Sequence, residues 1–424
     1  MSNNFEINFP VVIFFASIFL LAESIYTMQL TIYPKTAQSK NATSFEYAVV
    51  LGIFDAAIAL CSPFVATMMD FTKSSPQSVL ISSLLMEGAS LFVLGYVDKL
   101  NNLQIFLGAS IILRIIEGAA ASAVFTTVFI LVSEYFPGSF GIFFLGVLES
   151  LVPAGFVLGP LIGTNLYSLG GFSTPFVVVG SLFILFAAVA TFLLQIKDNA
   201  ADPENTNKCG DKEERNISLW KHPAVLTNFI AIFLTSSVIT FYFASIEPFL
   251  RIEFTTSPSV IGFVFAGSGL LYSAFSVVAS LLTVAVGSSG YPFQVAVLLG
   301  LTAQAVGNCA IVGIGIDSDF VTVVTGICFL SFGCGLTIFL FFLQAQDMLK
   351  KLCLNTEKAS SISAGAYMSS LTLGSMTGPM LGGFLTDLYG FRKTAIFTLI
   401  IIFALTFWKG VEILWYLKKT KINY

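Results

Sequence analysis

Twelve apolar stretches run along this chain, each about 20 residues or longer, the length a helix needs to cross roughly 30 Å of hydrocarbon. They cover approximately 10–34, 46–69, 79–97, 104–133, 140–166, 173–196, 224–250, 259–286, 293–315, 319–347, 360–386 and 393–416. None shows the strict alternation of a membrane barrel, so the spans read as helices. Composition agrees, because only 10% of the 424 residues are charged, against roughly 25% in soluble domains. A soluble enzyme, a disordered scaffold and a nucleic-acid binder with a basic patch are thereby excluded. The expected fold class is an all-α polytopic membrane protein embedded in a lipid bilayer, with no nucleic-acid partner.

Lys and Arg in short loops set the orientation. With both termini in the cytoplasm, twelve basic residues fall on the inner side and six on the outer. Asn41-Ala42-Thr43 is an N-glycosylation sequon in the first outer loop, which makes Asn41 a candidate glycan site. None of the six cysteines falls in an outer loop, so no extracellular disulfide framework is expected. The longest polar segment lies near the middle of the chain. It divides the chain into an expected N-terminal six-helix bundle (1–196), a cytoplasmic linker (197–222) and a C-terminal six-helix bundle (223–424).

An internal repeat supports two halves. Gly155-Phe156-Val157-Leu158-Gly159-Pro160-Leu161-Ile162-Gly163 is matched 219 residues later by Gly374-Ser375-Met376-Thr377-Gly378-Pro379-Met380-Leu381-Gly382. Glycines four residues apart give a helix a bare face for close packing, and the prolines Pro160 and Pro379 are expected to bend it. Parallel repeats of six helices mark one transporter architecture.

With these motifs the chain resembles the major facilitator superfamily. Arg114-Ile115-Ile116-Glu117-Gly118 in span 4 is similar to the Arg-x-x-Gln-Gly signature of proton-coupled members, with Glu in place of Gln. The glycine-proline stretch of span 5 is similar to the pattern of the antiporters, departing at Thr164, and Pro63 to Asp70 resembles the start of the loop 2/3 signature, its basic continuation reduced to Lys73, a resemblance that implies a gating role for Asp70. Within the superfamily the likeness is to vesicular amine and polyamine transporters, carried by Ile32-Tyr33-Pro34, Gly146-Val147-Leu148-Glu149, and Leu166 to Phe176. The resemblance implies two six-helix bundles in the major facilitator fold, alternating access and a vesicular or endolysosomal membrane, with the plasma membrane as the alternative.

Independently of any family, the spans hold Glu23, Asp55, Glu87, Glu117, Glu149 and, nearer the outer end, Glu247, against Arg114 read as their single base. Each such charge costs about 2.5 to 3.5 kcal/mol at a helix centre, so these groups need protons, water, Arg114 or a cationic ligand. An acidic interior repels anions and attracts protons and organic cations. Glu117, three residues after Arg114, reads equally as an intrahelical pair. Glu87 reads as structural and Glu247 as an interface anchor. Glu23 and Glu149 lie mid-span with no local base, and Glu149 comes one turn before the glycine-proline bend. Tyr26 and Tyr242 are candidates for cation-π contact.

No nucleotide-binding loop, nucleophile motif or metal-ligand spacing is present in the sequence, and no cofactor is expected. The expected function is secondary transport of a small organic cation, an amine or polyamine, in exchange for protons. A broad drug/proton antiporter and a non-transporting membrane sensor or scaffold are the alternatives.

Overall fold

The computed structural model describes residues 8–198, 222–288, 290–314, 319–352 and 356–422. These form helices α1 (Phe9–Ser39), α2 (Ser44–Thr72), α3 (Pro76–Leu94), α4 (Leu103–Tyr135), α5 (Ser139–Ser150), α6 (Val152–Gly170) and α7 (Ser173–Asp198), followed by α8 (Pro223–Glu253), α9 (Pro258–Val286), α10 (Tyr291–Val312), α11 (Phe320–Leu352), α12 (Thr356–Tyr389) and α13 (Phe391–Ile422). Among the described residues, eleven spans are long and apolar enough to cross a membrane, α5 and α6 together making one of them. The remaining helix, α12, is 34 residues long and rich in Ser, Thr and Gly. Large apolar side chains such as Phe192, Phe263 and Phe407 are more than 70% exposed, as lipid-facing residues must be.

Helix starts follow local chemistry. The Thr43 side chain accepts from the Glu46 N–H while Glu46 reaches back to the Thr43 N–H, a reciprocal cap that opens α2. Asn102 Oδ1 accepts from the N–H groups of Gln104 and Ile105 and opens α4. Asn41, just after α1, takes a left-handed φ of 65°, which asparagine tolerates better than most residues.

The fifth span is interrupted where the sequence did not suggest. Pro160 and Pro379 both sit inside continuous helices. The break falls at Leu151, between α5 and α6. Pro153 is the cause: it has no N–H to return to the carbonyl of Glu149, so the helical ladder cannot run through. Ser273 Oγ on α9 donates instead to the next carbonyl, that of Ser150, at 2.7 Å. Thr372 stands at the equivalent position of the second repeat, and α12 runs on unbroken.

The chain divides into two compact units, Met1–Gly141 with Ala154–Lys221 and Leu349–Ser369, and Ile142–Pro153 with His222–Met348 and Ser370–Tyr424. In the first unit α2 packs on α4, and α3 on α4 and α7. Small residues permit this approach: a Cβ on Gly118 would lie 2.6 Å from the Phe54 carbonyl, and one on Gly88 2.7 Å from that of Gly180.

The duplicated glycine stretches make equivalent seams, one in each unit. Thr27 Oγ1 of α1 donates to the Gly155 carbonyl of α6 at 3.4 Å, and Thr240 Oγ1 of α8 donates to the Gly374 carbonyl of α12 at 3.3 Å. One turn further on, a Cβ at Gly159 would collide with Thr27 Oγ1, and one at Gly378 with Thr240 Oγ1.

Candidate functional site: buried carboxylates within the spans

In the first unit a polar cluster lies across α1, α2, α3 and α4. Arg114 is fully buried and spends its donors locally: Nη1 on Glu117 Oε1 at 3.1 Å, Nη2 on the Leu51 carbonyl at 3.1 Å, and Nε on the Val50 carbonyl at 3.4 Å. Its guanidinium also lies 4.3 Å from the centre of the Phe54 ring. Gln29 Nε2 of α1 donates to the same Glu117 oxygen at 2.6 Å. The expected intrahelical pair is therefore present, but Arg114 also binds α2 and Gln29 brings in α1.

Tyr26 of α1 stacks on Phe54 as well, with the two rings 6.2 Å apart and 11° from parallel. Its hydroxyl meets the buried Asp55 carboxylate, which also lies in the field of Arg114. Glu87 of α3 is fully buried near Glu117, and neither of its carboxylate oxygens has a hydrogen-bond partner. Glu117 Oε2 is likewise unpartnered. Among the described residues, Arg114 is the only buried base of this unit. Three buried acids thus share one guanidinium, an arrangement that leaves room for protons or a cation.

Glu23 is half-buried on α1, one turn before Thr27, where the bare face of α6 comes closest: a Cβ on Gly155 would run into the Glu23 Cβ. The glycine stretch therefore abuts Glu23, whereas its proximity in sequence pointed to Glu149.

In the second unit Glu149 is fully buried at the last turn of α5, and Tyr272 Oη of α9 donates to its Oε1 at 2.6 Å. Tyr242 is buried on α8, with its hydroxyl bonded to Asn308 Oδ1 and to Thr398 Oγ1. Glu247 is part-exposed and pairs with Arg251, one turn along, at 3.5 Å. Gly374, Gly378 and Pro379 form the α8–α12 seam described above. Asp70 falls within α2, but its side chain lies outside the described residues, as does the linker segment 199–221.

Reading Arg114 as the single base of the spans needs correction. Lys409 of α13 is 1% exposed and donates to Glu412 Oε2 at 2.8 Å and to Asn228 Oδ1 and Gln344 Oε1, both at 3.3 Å. The local signal was present, because Glu412 follows Lys409 by the same three residues that separate Glu117 from Arg114. Among the described residues no group of His, Cys, Asp and Glu could hold a metal ion.

Membrane-crossing helices that carry an internal repeat and bury ionisable groups among themselves have the architecture of a multi-pass secondary transporter. Matched over residues 13–364 by the description of the Major Facilitator Superfamily, the chain belongs to that family, the one its motifs resemble. The human MFS-type transporter SLC18B1 is 22% identical over 394 residues, covering 91% of this chain and 82% of its own. A multi-drug resistance efflux pump PmrA homolog of Lactococcus lactis is 25% identical over 283 residues, 66% of this chain and 65% of its own. Among solved structures, a bacterial homologue of the iron transporter ferroportin in an outward-facing state superposes with a TM-score of 0.72 at 12% identity, covering 96% of this chain and 99% of its own. The human organic anion transporter MFSD10 superposes with a TM-score of 0.66 at 16% identity, covering 94% and 98%. At these identities the structures speak for the fold alone.

Proposed function

We propose that the protein is a proton-coupled antiporter that moves a small organic cation, an amine or polyamine, by alternating access. The observation that supports this reading is the sharing of Arg114 by Asp55, Glu87 and Glu117, which leaves the interior of that unit with more acid than base. Carboxyl groups in such surroundings load and release protons as their exposure changes, and an excess of them favours cations over anions. Glu149, beside a helix break and bonded to a tyrosine of another helix, is the second proton-coupling candidate. The resemblance to vesicular amine and polyamine transporters supports the substrate class. It also favours a vesicular or endolysosomal membrane over the plasma membrane, while the basic-residue asymmetry favours both termini in the cytoplasm and the polar segment 197–222 favours a linker joining bundles 1–196 and 223–424.

Reconstitution tests this. Proteoliposomes with an acid interior should accumulate labelled spermidine or a monoamine, and collapse of the pH gradient should abolish accumulation. Accumulation that is indifferent to the gradient overturns proton coupling. The likeness to a multi-drug efflux pump supports a second reading, a broad drug/proton antiporter. Gradient-dependent movement of chemically unrelated cationic dyes, with no preference for amines, would favour it. A non-transporting sensor would move neither.

A further inference from the structure

The second unit holds a cavity of about 580 Å³ that belongs to none of the groups assigned to transport. It lies where the start of α8, the start of α10, the end of α11 and the last part of α13 meet, at one end of those spans. Its volume suits a small amphiphile. Apolar side chains make most of the wall, including Met348, Val411 and Trp408, the last 57% exposed. The polar groups that reach it are Thr227, Gln294, Gln344 and Glu412.

The hydrogen bonding of these groups selects the ligand. An ammonium has three donors, and Lys409 places all three behind the wall, on Asn228, Gln344 and Glu412. None remains for an anion. Glu412 gives Lys409 only Oε2, and its side chain is 31% exposed, so its second oxygen is still an acceptor. Gln294 is 8% exposed and its Oε1 is buried without a partner, which costs free energy until a donor arrives. The cavity therefore presents the free oxygen of a carboxylate already paired with Lys409 and one unsatisfied acceptor, beside an apolar wall and an indole face.

We propose that this cavity is a binding site for an amphiphile with an apolar body and a primary ammonium head. The head bonds to Glu412 Oε1 or Gln294 Oε1, and the body lies along Trp408, Val411 and Met348. Two sources share that chemistry: an ethanolamine-headed phospholipid of the bilayer, and a free hydrophobic amine.

Of the three tryptophans in the chain, Trp220→Phe and Trp415→Phe leave Trp408 as sole reporter in the full-length protein. In phosphatidylcholine nanodiscs, dodecylammonium should shift Trp408 emission saturably, while dodecanoate should not. Glu412→Gln should weaken binding by about tenfold or more, the loss of one charge-assisted hydrogen bond. Because that change also leaves Lys409 short of its carboxylate, a second variant is needed. Ala224→Phe, at an exposed lining position, blocks the cavity without touching Lys409 or Glu412 and should abolish the shift. If phosphatidylethanolamine nanodiscs reproduce the shift and displace dodecylammonium, the bilayer is the source; if only free amine acts, the source is soluble. Equal binding of dodecanoate, an unsaturable response, or an unchanged response in Ala224→Phe overturns the proposal.

Discussion

Tyr272 Oη donates to Glu149 Oε1 at 2.6 Å, tying α9 to the last helical turn before the break at Leu151. The bond fixes a buried carboxylate at the point where the backbone ladder is interrupted. A change in helix direction there moves the carboxylate relative to its donor, which is the coupling that alternating access needs.

Glu149→Gln keeps the shape and mimics the protonated group. The variant should insert and reach its membrane, proton-driven accumulation should collapse, and exchange of substrate down its own gradient should persist. Tyr272→Phe removes one hydrogen bond to a charged group, worth about 1.5 to 3 kcal/mol, and should impair accumulation without blocking insertion. Accumulation by Glu149→Gln at the native rate across the same pH gradient would make the residue structural and Glu23 the first candidate.

Arg114→Ala should be severely damaging, because it strands Glu117 and removes the bonds to Val50 and Leu51, a loss of about 3 to 5 kcal/mol for a broken buried pair. Arg114→Lys should also fail, since a point ammonium cannot span two backbone carbonyls, a carboxylate and the face of Phe54 together. Thermal melting in detergent alongside transport separates the two losses. Normal transport by Arg114→Lys would show that charge alone matters.

Gly159→Ala and Gly378→Ala should each lower stability by about 1 to 3 kcal/mol, because the added methyl meets Thr27 Oγ1 and the Ser24 carbonyl in one seam and Thr240 Oγ1 and the Ser237 carbonyl in the other. Gly52→Ala and Gly383→Ala, where a Cβ meets nothing within 4 Å, serve as controls and should melt at or above the parent temperature. Equal melting of all four variants would show that the seams are loose.

Thr43 serves two purposes, as the third residue of the sequon and as the cap of α2. Thr43→Ala should therefore abolish any glycan and cost about 1 kcal/mol. Asn41→Gly should abolish the glycan alone, because glycine accepts the left-handed φ at that position. A mobility shift on glycosidase treatment, read with melting, distinguishes the variants. It also reports which side of the membrane the first loop faces.

The spans were legible because twenty apolar residues in a row have few alternatives, and the repeat because its glycines recur in register. Arg114–Glu117 was legible from its spacing of three. Lys409–Glu412 has the same spacing but hides in an apolar run, and its remaining partners, Asn228 and Gln344, come from two other helices. Tyr272 is 123 residues from Glu149, and no periodicity connects them. The helix break was misplaced because each glycine-proline pair drew attention to Pro160, whereas Pro153 stands where its missing N–H falls due to Glu149. An interior proline can be absorbed by a long helix, as Pro160 is in α6; beside Pro153 a neighbouring helix supplies a donor, Ser273, to the carbonyl next to the freed one, that of Ser150.

The break after Glu149 also makes the two copies of the repeat mechanically unequal. Both retain the glycine-threonine seam, but Pro153 has already removed a rung from the ladder of the first copy, whereas the second carries Thr372 there and keeps its N–H. Flexing the first copy at this level sacrifices no backbone hydrogen bond; flexing the second sacrifices one, about 0.5 to 1.5 kcal/mol. Duplication supplied two similar springs, and a single proline has made one of them softer.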